Sequence, residues 1–280
     1  MSADIAAASA FGINSYSYTI DMTAEAFLTK LAGRGYREFE LMVYPGHLWP
    51  KAMTGADRTA LRRHADKLGA RLVSLNMPNI DVNIAAASDD VRELSVDHLE
   101  RIVTLAGDLG VPGVVIGPGK ANPLYPMPRD QLMGHFFRAL ERLVPLARKA
   151  GTRLLAENMP FAFLPGMKEL TAALDQFGSD DVAIIYDVAN GYFIKEDLGE
   201  GLRLAKPRLQ LVHLSDTGLG AYRHDAVGLG TLPFAQVPPL LAEIGHSARP
   251  MLEIIAADAD AHIDDSARRL LAAGFRPSPS

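Results

Sequence analysis

SVDHLERIVTLAGDLGVPGVVIG, residues 95–117, contains the repeating unit of this chain in one stretch. Residues 95–110 have the apolar spacing of an amphipathic helix. Gly110 stands where a helix C-cap favours glycine, and the short apolar run GVVIG (113–117) then reads as a buried strand. The same alternation continues in both directions. RLVSLN (71–76) precedes this unit, while the helical run 129–151 and the strand TRLLAE (152–157) follow it.

Eight such strands are expected over the whole chain. The first four are FGINSY (11–16), YREFELMV (36–43), RLVSLN (71–76) and GVVIG (113–117). The others are TRLLAE (152–157), VAIIYD (182–187), LQLVHL (209–214) and PMLEII (250–255). Helical patterns at 23–33, 56–69, 95–110, 129–151, 235–245 and 264–274 lie among or after them. Gly33, Gly69, Gly110, Gly151 and Gly245 are the expected C-caps. Eight strands in 280 residues, with helical runs among them, give a strand–helix period of about 35 residues and predict right-handed parallel crossovers. A closed (β/α)8 barrel in the α/β class fits this count better than an open doubly wound sheet. No G-x-G-x-x-G follows the first strand, as it would in a dinucleotide-binding domain. Neither a linker nor a domain boundary interrupts the pattern, so residues 1–280 read as one domain, with 275–280 expected to form a frayed tail.

Composition narrows the chemistry. With 48% hydrophobic and 22% charged residues the chain can fill one large core. It has no cysteine, which removes disulfides, thiolate metal sites and thiol nucleophiles together. The net charge of -5 and the lack of a basic run argue against nucleic acid as a partner; the densest basic patch, 58–67, has the spacing of a solvated helix face. No run approaches the length of a membrane span, and the apolar start MSADIAAASAF lacks a basic leader, so the expected setting is the cytoplasm, away from membranes.

Four consecutive strands carry an ionisable side chain at or near their ends: Glu157, Asp187, His213 and Glu253. Singly, each has an ordinary explanation, such as a helix cap, an ion pair or a core histidine. Together they are neighbours on one rim of the predicted barrel, where active sites of this architecture form. Three carboxylates converging there repel one another unless a positive centre holds them. One imidazole and three carboxylates suit one divalent ion, Mn2+ first, with Mg2+ or Co2+ also fitting and Zn2+ less favoured.

These residues also carry a resemblance. ENMP (157–160), YDVAN (186–190), VHLSD (212–216), RHDAVGLGTLPF (223–234) and LEII (252–255) resemble the xylose-isomerase-like TIM-barrel superfamily of sugar isomerases, epimerases and related lyases, along essentially the whole chain. The resemblance implies metal ligation by all four residues, with Glu157 and Glu253 also acting as acid–base groups. It implies a small polyhydroxy carbonyl substrate (a keto-sugar, sugar acid or cyclitol) and a homodimer or homotetramer. Lewis-acid polarisation of a carbonyl acidifies the neighbouring C–H, and two flanking carboxylates can move the proton. Epimerisation or isomerisation through a metal-stabilised enediolate is the first reading. Dehydration of a dehydroshikimate- or inosose-type ketone is the alternative, and an inactive sugar-binding barrel is a third.

Departures from relatives sharpen this. The DNA-repair endonucleases of the superfamily carry further zinc-binding histidines where this chain has Asn76 and Gly117, and an aspartate where it has Tyr222, which argues against a nuclease. Asn190 occupies a position that is histidine in many ketose epimerases; it hydrogen-bonds but carries no charge, against a standard ketohexose 3-epimerase. Further candidates for substrate contact are Arg223 and His224 in the loop after strand seven, His47 and Trp49 in YPGHLWP, Asn76, and Lys120 in GPGKANP. Glu40 is expected to point into the barrel and make a structural hydrogen bond.

Overall fold

Among the described residues, eight parallel strands pair in chain order, and the last closes on the first, so this sheet has no open edge. They are β1 (Gly12–Asn14), β2 (Glu38–Met42), β3 (Arg71–Asn76), β4 (Gly113–Ile116), β5 (Arg153–Glu157), β6 (Val182–Asp187), β7 (Leu209–Leu214) and β8 (Met251–Leu252). This is the expected (β/α)8 barrel, seen in a computed structural model that describes residues 8–277. The helices α1 (Ala24–Gly33), α2 (Gly55–Leu68), α3 (Asp89–Leu109) and α4 (Arg129–Ala150) connect β1 through β5. Next come α5 (Met167–Phe177), the pair α6 (Val188–Phe193) and α7 (Leu198–Ala205), α8 (Val237–Ile244) and α9 (Ala259–Ala272). Among the described residues no helix is long and apolar enough to cross a membrane.

Sequence chemistry sets the ends of these elements. Thr54 and Asp57 form a reciprocal capping box at the start of α2. Gly69, Gly110, Gly151 and Gly245 take left-handed C-cap conformations at their helix ends, as expected. Gly33 does not: it is the last residue of α1, and the positive φ falls on Gly35 instead. Strand β8 is shorter than the expected 250–255 run, ending before Glu253. The expected tail begins at a buried residue, because Phe275 packs against Phe11 with ring centroids 5.7 Å apart; residues 278–280 lie outside the described chain.

Two apolar layers follow from strand alternation. One face of the sheet packs against the surrounding helices in a continuous core. The other fills the barrel with a separate cluster of Val73, Val115, Leu155, Ala183, Ile185, Leu211 and Met251. Two residues beyond Leu155, Ile185, Leu211 and Met251 come Glu157, Asp187, His213 and Glu253. A period of two therefore turns these four side chains inward as well, at the C-terminal ends of the strands.

Candidate metal and substrate site

Glu157 ends β5, Asp187 ends β6, His213 lies one residue before the end of β7, and Glu253 directly follows β8. Asp187 pairs in register with His213, and Glu253 N–H donates to Leu214 O at 3.0 Å, which fixes the post-strand residue against β7. The side chains supply one ligand atom each, all within 4.8 Å of one another, and all four residues are buried. The structure thus brings together the whole predicted set.

His213 Nδ1 faces all three carboxylates. It lies 3.1 Å from Glu253 Oε2, 3.4 Å from Glu157 Oε1 and 3.9 Å from Asp187 Oδ2. Its Nε2 is 3.2 Å from Glu40 Oε1, close enough for an ion pair but without hydrogen-bond alignment. Burial alone would lower the imidazole pKa, but Glu40 and Glu253 outweigh it and hold the ring well above its ordinary value. Burial raises the carboxyl of Glu157, against the lowering effect of His213. Burial likewise pushes Asp187 up to about 6, with Glu253 adding repulsion and both His224 and His213 opposing it. Without a metal, a protonated imidazole balances crowded carboxylates.

The donor set fits a divalent cation on an independent count. Asp187 Oδ1 accepts from Asn190 N at 2.7 Å, while its Oδ2 is buried and has no hydrogen-bond partner. A buried carboxylate oxygen left unpaired is costly, and a cation would satisfy it. Asp187 is thus both the helix cap of its ordinary explanation and a candidate ligand.

Glu40 is more engaged than expected. It is fully buried on β2 and accepts from Asn14 Nδ2 (2.5 Å), Ser74 Oγ (2.6 Å) and Asn76 Nδ2 (3.2 Å). Burial would raise its carboxyl, but His213 and these donors win and hold it below the usual range. The carboxylate stays charged behind the imidazole, as the partner of a metal-binding histidine does.

Above the four residues opens a cavity of about 490 Å3. Glu157, Glu253, Asn190, His224, Asn76 and Lys120 line it, so six predicted site residues share one space. Asn190 Nδ2 donates to Asn158 O at 2.8 Å, turning its Oδ1 toward the Tyr222 hydroxyl, which donates to it at 2.7 Å. The same hydroxyl is 2.7 Å from His224 Nε2. With its one hydrogen committed to Asn190, the tyrosine oxygen accepts from His224 Nε2–H. His224 Nδ1 lies 2.9 Å from Ser215 Oγ, 3.5 Å from Glu253 Oε2 and 3.7 Å from Asp187 Oδ2. Burial raises the Tyr222 phenol, so it stays a donor.

Three predicted contacts are not brought here. His47 is buried elsewhere, between Met22 O (2.6 Å) and Ser15 Oγ (2.9 Å), and serves the β1–β2 region. Trp49 packs on His98 of α3, with ring centroids 4.9 Å apart, and does not line the cavity. Arg223 turns outward with 64% of its side chain exposed, 3.9 Å from Asp225. Tyr222, which the sequence marks only as a departure from a zinc ligand, in contrast lines the cavity. Its spacing from His224 was the available signal: two residues apart on an extended segment share a side, and Arg223 between them takes the other.

The chain is 24% identical to an L-ribulose 3-epimerase of Mesorhizobium japonicum over 242 residues, covering 84% of this chain and 78% of that protein. A D-tagatose 3-epimerase-like protein superposes with a TM-score of 0.80 at 20% identity, over 94% of this chain and 96% of the other. The 3-keto-D-glucoside 4-epimerase of E. coli gives 0.77 at 17% identity, over 94% and 99%. A family model described as the xylose isomerase-like TIM barrel matches residues 28–273, and with the closed barrel and its rim this chain belongs to that family.

Proposed function

We propose that this protein is a divalent-metal-dependent isomerase or epimerase of a small keto-sugar, sugar acid or cyclitol. The observation that carries the reading is the buried Asp187 Oδ2, without a hydrogen bond, inside a ring of Glu157, His213 and Glu253 directly beneath a cavity. Glu157, Asp187, His213 and Glu253 would hold the ion, Mn2+ being the favoured choice. Such an ion supplies Lewis-acid polarisation of a substrate carbonyl. The substrates named for the similar epimerases support the keto-sugar class.

The chain's own groups account for the proton transfer. Glu157 and Glu253 both line the cavity and reach it from opposite flanks of β6 and β7. One carboxylate takes the proton from the carbon beside the carbonyl, and the C–H electron pair moves into the enediolate. The other carboxyl returns a proton to the opposite face, which inverts that carbon. Burial, which raises the Glu157 pKa, suits this residue to holding a proton nearer neutral pH. Tyr222, Asn190 and His224 form a connected polar wall that can orient substrate oxygens.

Incubating Mn2+-loaded protein with keto-sugars, keto-acids and inososes in D2O, followed by NMR, tests the proposal. Deuterium beside a carbonyl with inversion or carbonyl migration is the expected result. Loss of water instead of inversion would move the reading to a dehydratase. No exchange with any compound by fully loaded protein would contradict it.

A further inference from the structure

The wall of the cavity opposite the polar groups differs in chemistry from a surface built for hydroxyls. It comes from the segment after β3, the end of β4 and α3, and includes Met77, Val82, Ile84 and Leu99. At the mouth the same wall carries Ile80, which is 81% exposed although it is a large aliphatic side chain. Most of the hydrogen-bonding groups of the polar side chains on this side are engaged with the protein, leaving one Lys120 N–H and Asn79 Oδ1. Lys120 Nζ donates to Asn79 O at 2.6 Å and Ile80 O at 2.9 Å, while Asn79 Nδ2 donates to Met77 O at 3.3 Å. Asn76 donates to Glu40 and accepts from Met77 N at 2.7 Å. A sugar hydroxyl directed there would leave water for a surface with few free partners, which is unfavourable. An aliphatic or aromatic group entering the same space would gain by burial.

Resting on the proposed epimerase or isomerase reading, we propose that the substrate bears an apolar substituent, aliphatic or aromatic, joined to its polyhydroxy carbonyl end. The carbonyl end meets Glu157 and Glu253, and the substituent fills the space between Met77, Val82, Ile84 and Leu99. The cavity volume of about 490 Å3 accommodates a ligand larger than a lone ketose. The two halves of the site thus divide the work: the rim of β5–β8 reacts, and the β3–β4 side selects.

The test compares one ketohexose with its phenyl ether on the hydroxyl farthest from the carbonyl, using Mn2+-loaded protein. Deuterium exchange gives kcat/KM for each, and competition binding gives affinity without turnover. The ether is expected to exceed the free sugar at least tenfold in kcat/KM. In the double variant Ile80→Ser, Val82→Thr that ratio is expected to drop below three. Equal or poorer use of the ether, while the free sugar turns over, would overturn the inference and leave the proposed reaction standing. If neither sugar exchanges, the wider panel of keto-sugars, keto-acids and inososes decides the reaction, and binding alone decides the inference: at least tenfold tighter binding of the ether upholds it, and equal binding overturns it.

Discussion

His213 Nε2 lies 3.2 Å from Glu40 Oε1, while the other nitrogen of the same ring faces Glu157, Asp187 and Glu253. A carboxylate from β2 therefore orients an imidazole of β7 across the inside of the barrel. Partners of this kind typically change metal affinity about 10- to 100-fold. Glu40→Gln keeps the shape but removes the charge and turns one of the two accepting oxygens into an amide donor. Isothermal titration with Mn2+ is expected to show affinity reduced about 10-fold or more. Wild-type affinity in this variant would remove Glu40 from the metal account.

Metal uptake is expected to depend on pH with a definite sign. Asp187 in the metal-free protein titrates at about 6, so it binds a proton below that value and must release it to become a ligand. His213 holds its proton well above its usual range and must also give one up. Affinity should rise with pH, by about tenfold per unit for each proton displaced. Calorimetry at pH 5 to 8, in buffers of different ionisation enthalpy, measures both the rise and the proton release. A dissociation constant that stays level over this range contradicts the assignment.

Tyr222→Phe separates substrate orientation from metal binding. It removes the hydroxyl that bonds Asn190 Oδ1 and His224 Nε2 but leaves the four ligands untouched. Loss of such a bond is worth about 1 kcal/mol, so KM should rise several-fold. Metal content should match the wild type, and a loss of metal would show that this network supports the ligands instead.

The acid–base roles are tested by Glu157→Gln and Glu253→Gln. Each should lower deuterium exchange by about 100-fold or more while the fold, followed by circular dichroism, is unchanged. Near-normal exchange in either variant removes that residue from proton transfer.

The barrel and its four rim residues were readable because both obey local periods. Alternation along β5, β6 and β7 turns Glu157, Asp187 and His213 inward whatever the loops do. The failures lie where contacts join distant segments. Trp49 finds its partner in His98 and His47 in Ser15, contacts that no period in YPGHLWP encodes. Glu40 was expected to bond, but its role behind His213 depends on two strands facing each other across a closed sheet. Helix α5 was absent from the expected helical patterns, although strand-to-strand connectivity required a crossover there. The selectivity of the far cavity wall depends on how Lys120, Asn79 and Asn76 use their hydrogen bonds, which composition does not report.

The most direct test of the central claim is the metal content of purified protein after Mn2+ loading and gel filtration, measured by elemental analysis beside Asp187→Ala and His213→Ala. The account predicts close to one equivalent per chain in the wild type and a large loss in both variants. A wild type that retains no metal, or variants that retain as much, would contradict it.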